Sequence, residues 1–244
     1  MKTLIIIPSR LSATRLPGKP LLKINGLSII SHVFKKAEET NIGEVFVATQ
    51  DQEIIDDVKK NGGQAILTNK NHKTGTDRIN EAIKKLGRTD VELVMNLQGD
   101  EPLMNVADIQ KLHAQMVKTK FELGTLASNI IDQESYDNLN VVKVITKESF
   151  ENSQFPEALN FTRKSDPSLK NIYNHLGIYC YQLETLKKFV SSKQSSNEIK
   201  NRLEQLRALD NNITINVALA KASSIGVDTK EDYVAIKKIM EYKS

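Results

Sequence analysis

The stretch TLIIIPSRLSATRLPGKPL, Thr3 to Leu21, joins an unbroken apolar run to a loop dense in arginine, serine, proline and glycine. An apolar run without polar alternation predicts a strand at Thr3–Ile7 buried on both faces, the habit of parallel sheets. A helical pattern follows at Leu27–Glu39, so the order is strand, long loop, helix. The unit recurs: Glu44–Thr49 alternates like a strand, Asp51–Lys60 carries apolar residues at helical spacing, and Gln64–Leu67 begins another strand. Repeated βαβ order specifies a layered α/β fold.

Further along, Thr76–Leu86 reads as a helix, Val91–Leu97 as a buried strand and Val106–Lys118 as a helix with Ile109, Leu112 and Met116 on one face. These elements predict a doubly wound, mixed but mostly parallel Rossmann-like sheet. From Glu122 the pattern changes to strand-like pieces at Leu123–Ile130, Val141–Thr146 and Leu176–Tyr181, separated by polar turns. Helices return at Leu183–Phe189 and Ile199–Leu209, then a strand at Ile213–Leu219 and a helix at Glu231–Tyr242. The expectation is a single domain over 1–244 with a smaller antiparallel layer inserted at approximately 120–182.

Composition narrows the function. With 244 residues, 39% apolar, the chain buries one substantial core. Its charge of +4 is spread over 34 basic and 30 acidic residues, and aromatics make up 5%, so neither a cationic stripe nor stacking platforms for nucleic acid are evident. No apolar run approaches the ~20 residues that span a bilayer, and no cleavable signal pattern is evident, which makes the cytoplasm the expected location and a membrane an unexpected partner. Cys180 stands alone and reads as a small buried thiol.

The loop after the first strand places Arg10, Arg15 and Lys19 with Gly18 where, in open α/β sheets, ligands bind. Guanidinium forks and an ammonium suit a triphosphate, although a solvated basic loop would have the same composition. GxxxxGK[ST] is absent, so this is not a Walker loop. NLQGDEP at Asn96–Pro102 puts Asp100 at the end of a strand, where a carboxylate is placed to hold Mg²⁺ beside a nucleotide; a plain Gly-Asp turn is the other reading. GVDT at Gly226–Thr229 sets Asp228 just before a helix, as a metal ligand or as an N-cap, with Thr229 equally able to cap.

Taken together, RLPGKPL at Arg15–Leu21, HKTGTDR at His72–Arg78, NLQGDEP, HLGIYCY at His175–Tyr181, NRLEQLRAL at Asn201–Leu209 and GVDT resemble the Kdo cytidylyltransferases (CMP-Kdo synthetases) across the chain and in the family's order. The resemblance implies transfer of CMP from CTP to the anomeric hydroxyl of the sugar acid Kdo for lipopolysaccharide biosynthesis, with pyrophosphate leaving. It implies Mg²⁺ on Asp100 and Asp228, catalytic roles for Arg10 and Lys19, and nucleotide contacts from Arg10, Arg15, Lys19, Thr76, Arg78 and Gln98. On the sugar side it implies Gln98, Arg163 in NFTR, His175, Glu198 and Gln205, and a homodimer joined through the inserted layer. The chain departs from the family's common form in reading VATQD at Val47–Asp51 for VATD, and SSNE at Ser195–Glu198. An 8-amino-Kdo cytidylyltransferase would share every motif, and a non-catalytic nucleotide-sugar sensor would keep the fold without Asp100, Asp228 and Lys19 together.

Overall fold

The computed structural model describes residues 1–12, 15–221 and 225–242. It resolves into two compact units, one comprising 1–106 with 224–244 and the other 107–223.

The first unit begins with β1 (Thr3–Ser9), in which Leu4, Ile5, Ile6 and Ile7 are all fully buried. After the loop, a small hairpin of β2 (Lys23–Ile24) and β3 (Leu27–Ser28) leads into α1 (Ile29–Glu39). Ser28 caps that helix by accepting the Ser31 N–H at 3.2 Å, and Ile29, Ile30, Val33, Phe34 and Ala37 form its buried stripe. Next come β4 (Glu44–Thr49), α2 (Gln52–Lys60), β5 (Ala65–Leu67), α3 (Gly75–Leu86) and β6 (Leu93–Asn96). Strands β6, β1, β4 and β5 lie side by side in that order, all parallel. The chain therefore winds outward from β1 through β4 to β5 and then returns to the other side of β1. Right-handed crossovers place α1 and α2 on one face and α3 on the other. Between β1 and β6 the winding direction reverses, which opens a crevice at the carboxyl ends of those two strands.

The second unit contains α4 (Val106–Thr119, from its second residue), β7 (Leu123–Ser128), α5 (Gln133–Asp137), β8 (Lys143–Thr146), β9 (Ala158–Thr162) and β10 (Ile172–Gln182). It continues through α6 (Leu183–Ser191), α7 (Ser196–Asn201), α8 (Leu206–Asp210) and β11 (Ile215–Leu219). Here β7, β10, β8 and β9 pair antiparallel, while β11 runs parallel to β7. The antiparallel strands run from Leu123 to Gln182, and the compact unit that holds them spans 107–223.

One predicted helix is corrected. Ile199–Leu209 is broken into α7 and α8 because Arg202 takes a left-handed conformation (φ 53°, ψ 47°). That turn ends α7 and returns the chain so that Arg207 reaches Glu198. Strand β9 and the short α5 fall in segments read as polar turns.

Helix α9 (Lys230–Tyr242) completes the first unit. Ile24, Ile29, Val227 and Ile236 form a small buried cluster, with Leu16, Leu22, Leu103, Tyr233 and Met240 packed against it. This cluster binds the segment before α9 to the loop after β1 and to the turn after β6. The Val227 N–H donates to the Asp100 carbonyl at 2.9 Å, fixing the two segments in register.

Gly99 shows how close the packing is beneath this turn. A Cβ there would lie 3.0 Å from the Pro8 carbonyl oxygen and 3.3 Å from Ile30 Cδ1. Gly99→Ala is predicted to lower stability by about 1–3 kcal/mol in urea unfolding, the usual cost of forcing a group into packed space. An unchanged unfolding midpoint would show that the turn yields freely.

Candidate active site

A cavity of about 360 Å³ opens in the first unit at the crevice between β1 and β6. Three segments and one side chain build it. The loop after β1 contributes Arg10, Arg15 and Lys19; the start of α3 contributes His72, Thr74 and Arg78; the turn after β6 contributes Gln98 and Asp100; and Asp228 enters from the segment before α9.

Local sequence explains why each segment holds its shape. In the first loop Gly18 sits at φ 70°, a conformation that glycine adopts without a Cβ penalty. Its N–H closes the loop onto the Leu11 carbonyl at 3.2 Å. Pro20 then starts a short 3-10 turn at Lys19–Leu21, which directs Lys19 back into the cavity. At α3 the Thr74 hydroxyl accepts the Asp77 N–H and the Asp77 carboxylate accepts the Thr74 N–H, each at 3.2 Å. This reciprocal cap consumes two of the helix's unpaired donors and leaves the positive end of the helix facing the cavity. Before α9, the Asp232 carboxylate takes the N–H groups of Asp228 and Thr229 at 3.0 and 2.8 Å, and Thr229 Oγ1 accepts the Asp232 N–H at 3.2 Å. Thr229 and Asp232 thus do the capping, and the Asp228 carboxylate is left for the cavity.

The two carboxylates separated by 128 residues converge. Lys19 Nζ donates to Asp100 Oδ2 at 2.6 Å and to Asp228 Oδ1 at 3.3 Å. Arg15 Nη2 reaches the other Asp228 oxygen at 3.0 Å. Lys19 is only 12% exposed, so its ammonium spans the two acids in a partly desolvated setting where such attraction is stronger than in water.

Arg78 is 4% exposed and donates to Gln50 Oε1 at 2.8 Å, to the Asn69 carbonyl at 3.3 Å and to the Thr68 hydroxyl. Burial lowers its affinity for a proton, with Asp51 and Glu81 opposing and Arg10 adding to the effect, yet a guanidinium stays charged. The cavity therefore combines five cations, Arg10, Arg15, Lys19, Lys73 and Arg78, with two acids, a charge pattern suited to a polyphosphate together with a divalent metal ion.

A model of the cytidylyltransferase family matches residues 4–215. The 3-deoxy-manno-octulosonate cytidylyltransferase of Afipia carboxidovorans is 40% identical over 240 residues, covering 98% of this chain and 96% of that protein. Its counterpart in Rhodopseudomonas palustris is 41% identical over 243 residues, covering 99% and 98%. The chain belongs to the 3-deoxy-manno-octulosonate cytidylyltransferase family. A solved CMP:2-keto-3-deoxy-manno-octonic acid synthetase complexed with CTP superposes on the full length of both chains with a TM-score of 0.90 at 33% identity.

Of the nucleotide residues inferred from likeness to this family, Arg10, Arg15, Lys19, Arg78 and Gln98 line one cavity together with Asp100 and Asp228. Thr76 is buried in the first turn of α3, and its neighbours Thr74 and Gly75 line the cavity instead. His72 also lines it and was missed by sequence reasoning; its only signal was membership of the HKTGTDR string.

Of the sugar-side residues, Gln98 lies in the first unit, and Arg163, His175, Glu198 and Gln205 lie in the second. His175 is part-buried on β10, with Nε2 3.0 Å from Thr125 Oγ1 and its ring edge-on to Phe161 at 5.0 Å. Burial pulls its imidazole down to about 3, so at neutral pH it is an uncharged hydrogen-bonding group. Arg163 Nη1 donates to the carbonyls of Leu139 and Asn140, both at 3.2 Å. Gln205 is buried at the start of α8. Both oxygens of Glu198 are held by Arg207, at 2.8 and 2.6 Å, so its carboxylate joins α7 to α8.

Glu81 anchors the rim of the first-unit cavity through His72. Its oxygens accept the Asn69 N–H at 3.1 and 3.0 Å, and they also meet the Lys85 ammonium and the His72 ring. Burial works against the charge, but the hydrogen bonds from Lys85, Asn69 and His72 outweigh it and pull the carboxyl down to about 2 from an ordinary 4.5. A depressed carboxyl stabilises the fold fully above its ordinary value, and the contribution fades as pH falls through the depressed one. The stability gap between wild type and Glu81→Gln is therefore predicted to be constant above pH 4.5 and to shrink towards pH 2, read from urea midpoints across that range. A gap independent of pH would contradict the anchor.

Proposed function

We propose that the chain transfers CMP from CTP to the anomeric hydroxyl of 3-deoxy-manno-octulosonate, releasing pyrophosphate. The observation that carries this reading is the placement of Lys19 between Asp100 and Asp228 in a cavity lined by three arginines, in a chain of that family. The hydroxyl oxygen attacks the α-phosphorus, the bond to the bridging oxygen of pyrophosphate breaks, and the hydroxyl proton is lost to solvent.

The residues present suit Mg²⁺. Two acids supply oxygen donors only, and this ion is commonly held by one or two carboxylates with phosphate and water oxygens completing its shell. Asp100 and Asp228 would hold it. When bound, Mg²⁺ supplies electrostatic polarisation of the phosphate under attack.

Arg10, Arg15 and Lys19 bind the phosphate oxygens in this scheme and offset the charge that grows on the leaving pyrophosphate. Arg78 and Gln98 fix the nucleoside end, and the helix end at Thr74 and Gly75 favours an anion nearby. Lys19 and Arg15 already have acids as partners, so the phosphates take over cations that Asp100 and Asp228 release. The site then keeps its charges compensated before and after binding. For the acceptor, the second unit offers groups of fitting chemistry: Arg163 suits the sugar carboxylate, and neutral His175 and the amide of Gln205 suit its hydroxyls.

The same proposal includes a homodimer joined through the second unit. Strand β9 pairs with β8 alone among the described strands, and Leu159 on it is 54% exposed. Ile131 and Leu139 are exposed in the same unit, and an apolar edge of this kind is commonly covered. Among the described residues no helix is long and apolar enough to cross a membrane. The proposal sets the reaction in the cytoplasm, on a precursor of lipopolysaccharide.

The test is pyrophosphate release from CTP with Mg²⁺ and either Kdo or 8-amino-Kdo. Wild type is predicted to turn over Kdo, and Asp100→Ala and Asp228→Ala to lose at least about a hundredfold in kcat, the scale of removing one charge-stabilising group. Wild-type rates in either variant would remove that carboxylate from the reaction, and turnover of 8-amino-Kdo alone would replace the acceptor.

A further inference from the structure

The departure VATQD places Gln50 and Asp51 at the carboxyl end of β4, next to β1 in the sheet. Neither residue is among those that line the cavity, yet each holds a part of it.

Asp51 occupies the N-cap of α2, where an aspartate ordinarily accepts an N–H from its own helix. It makes no such bond. Its Oδ2 instead accepts the Leu11 N–H at 2.7 Å, reaching 40 residues back to the loop after β1. Its own backbone is held by Thr49 Oγ1, which accepts the Asp51 N–H at 3.1 Å, so the carboxylate projects from a fixed base. Leu11 directly follows Arg10, and the carbonyl of Leu11 is the acceptor that closes the loop at Gly18. One carboxylate therefore fixes the residue through which both ends of the phosphate loop are positioned.

Gln50 acts on the other cation. It accepts from Arg78 Nη2 at 2.8 Å, while the remaining acceptors of that guanidinium are a hydroxyl and a carbonyl. All three bonded partners are neutral. A carboxylate at position 50 would bind Arg78 more strongly and would also cancel its charge. The amide gives direction and leaves the charge for a ligand.

We infer that Gln50 and Asp51 are positioning residues for the nucleotide: Asp51 pins the loop that carries Arg10, and Gln50 aims Arg78 without neutralising it. This rests on the nucleotide reading above. It predicts that affinity for CTP depends on two side chains that need not touch CTP.

The test measures kcat and KM for CTP, together with melting of the free protein, in Asp51→Ala, Asp51→Asn and Gln50→Glu. Hydrogen bonds to charged groups correspond to roughly tenfold to a hundredfold in an equilibrium, so Asp51→Ala is predicted to raise KM for CTP about tenfold or more. Asp51→Asn, whose amide oxygen can still accept the Leu11 N–H, is predicted to recover most of that loss. Gln50→Glu is predicted to raise KM for CTP without lowering the melting temperature, because the new carboxylate pairs with Arg78. If Asp51→Ala lowered the melting temperature but left KM for CTP unchanged, its role would be confined to α2 and the inference overturned. Equal KM values in Gln50→Glu and wild type would overturn the Arg78 half. Failure of wild type to bind CTP in calorimetry would sink the nucleotide reading itself, an outcome separate from either.

Discussion

The ammonium of Lys19, held between Asp100 and Asp228, is the interaction on which the rest of the site depends. Two acids brought together at the end of a sheet repel one another unless a cation lies between them. In this chain that cation comes from the loop after β1, and the Arg15 guanidinium supports it from the outer side of Asp228. The pairing keeps the site stable and gives the same groups their proposed use. Phosphates attract the cations, a divalent ion attracts the acids, and each exchange leaves the other set of charges in need of a partner. Nucleotide and metal should accordingly enter as a unit.

Topology brings these groups together. Winding outward from β1 and then returning to its other side places the loop after β1 and the turn after β6 on either side of one crevice. The cluster of Ile24, Ile29, Val227 and Ile236 then draws in the segment before α9, and the bond from Val227 to the Asp100 carbonyl sets its position. Apolar packing thus fixes the location of Asp228, and electrostatics acts only over the last few ångströms.

Much of this was legible in the sequence. The Ile-rich run of β1, the helical stripe of α1 and the alternation at Glu44–Thr49 carry periodic signals that survive without a structure. The phosphate loop and the two aspartates were legible as strings, although their meeting across 128 residues came from likeness to a family and from nothing in the spacing. Side chains that reach distant backbone left no such trace. Asp51 reads as an ordinary helix start, and its carboxylate reaches the Leu11 N–H only in the folded structure. The run Ile199–Leu209 has helical spacing throughout, and its break at Arg202 accompanies a buried pairing of Glu198 with Arg207 that periodicity does not encode. Thr76 and Thr74 lie two apart in the same motif, and which of them faces the cavity depends on where the cap of α3 falls.

The most direct measurement is a crystal structure of the chain with CTP and Mn²⁺, with the metal located by its anomalous scattering. The exchange of partners predicts a peak bonded to both Asp100 and Asp228 and to phosphate oxygen, with the Lys19 ammonium moved from the acids onto the nucleotide. A metal held by phosphates alone, with Lys19 still between the two carboxylates, would contradict it.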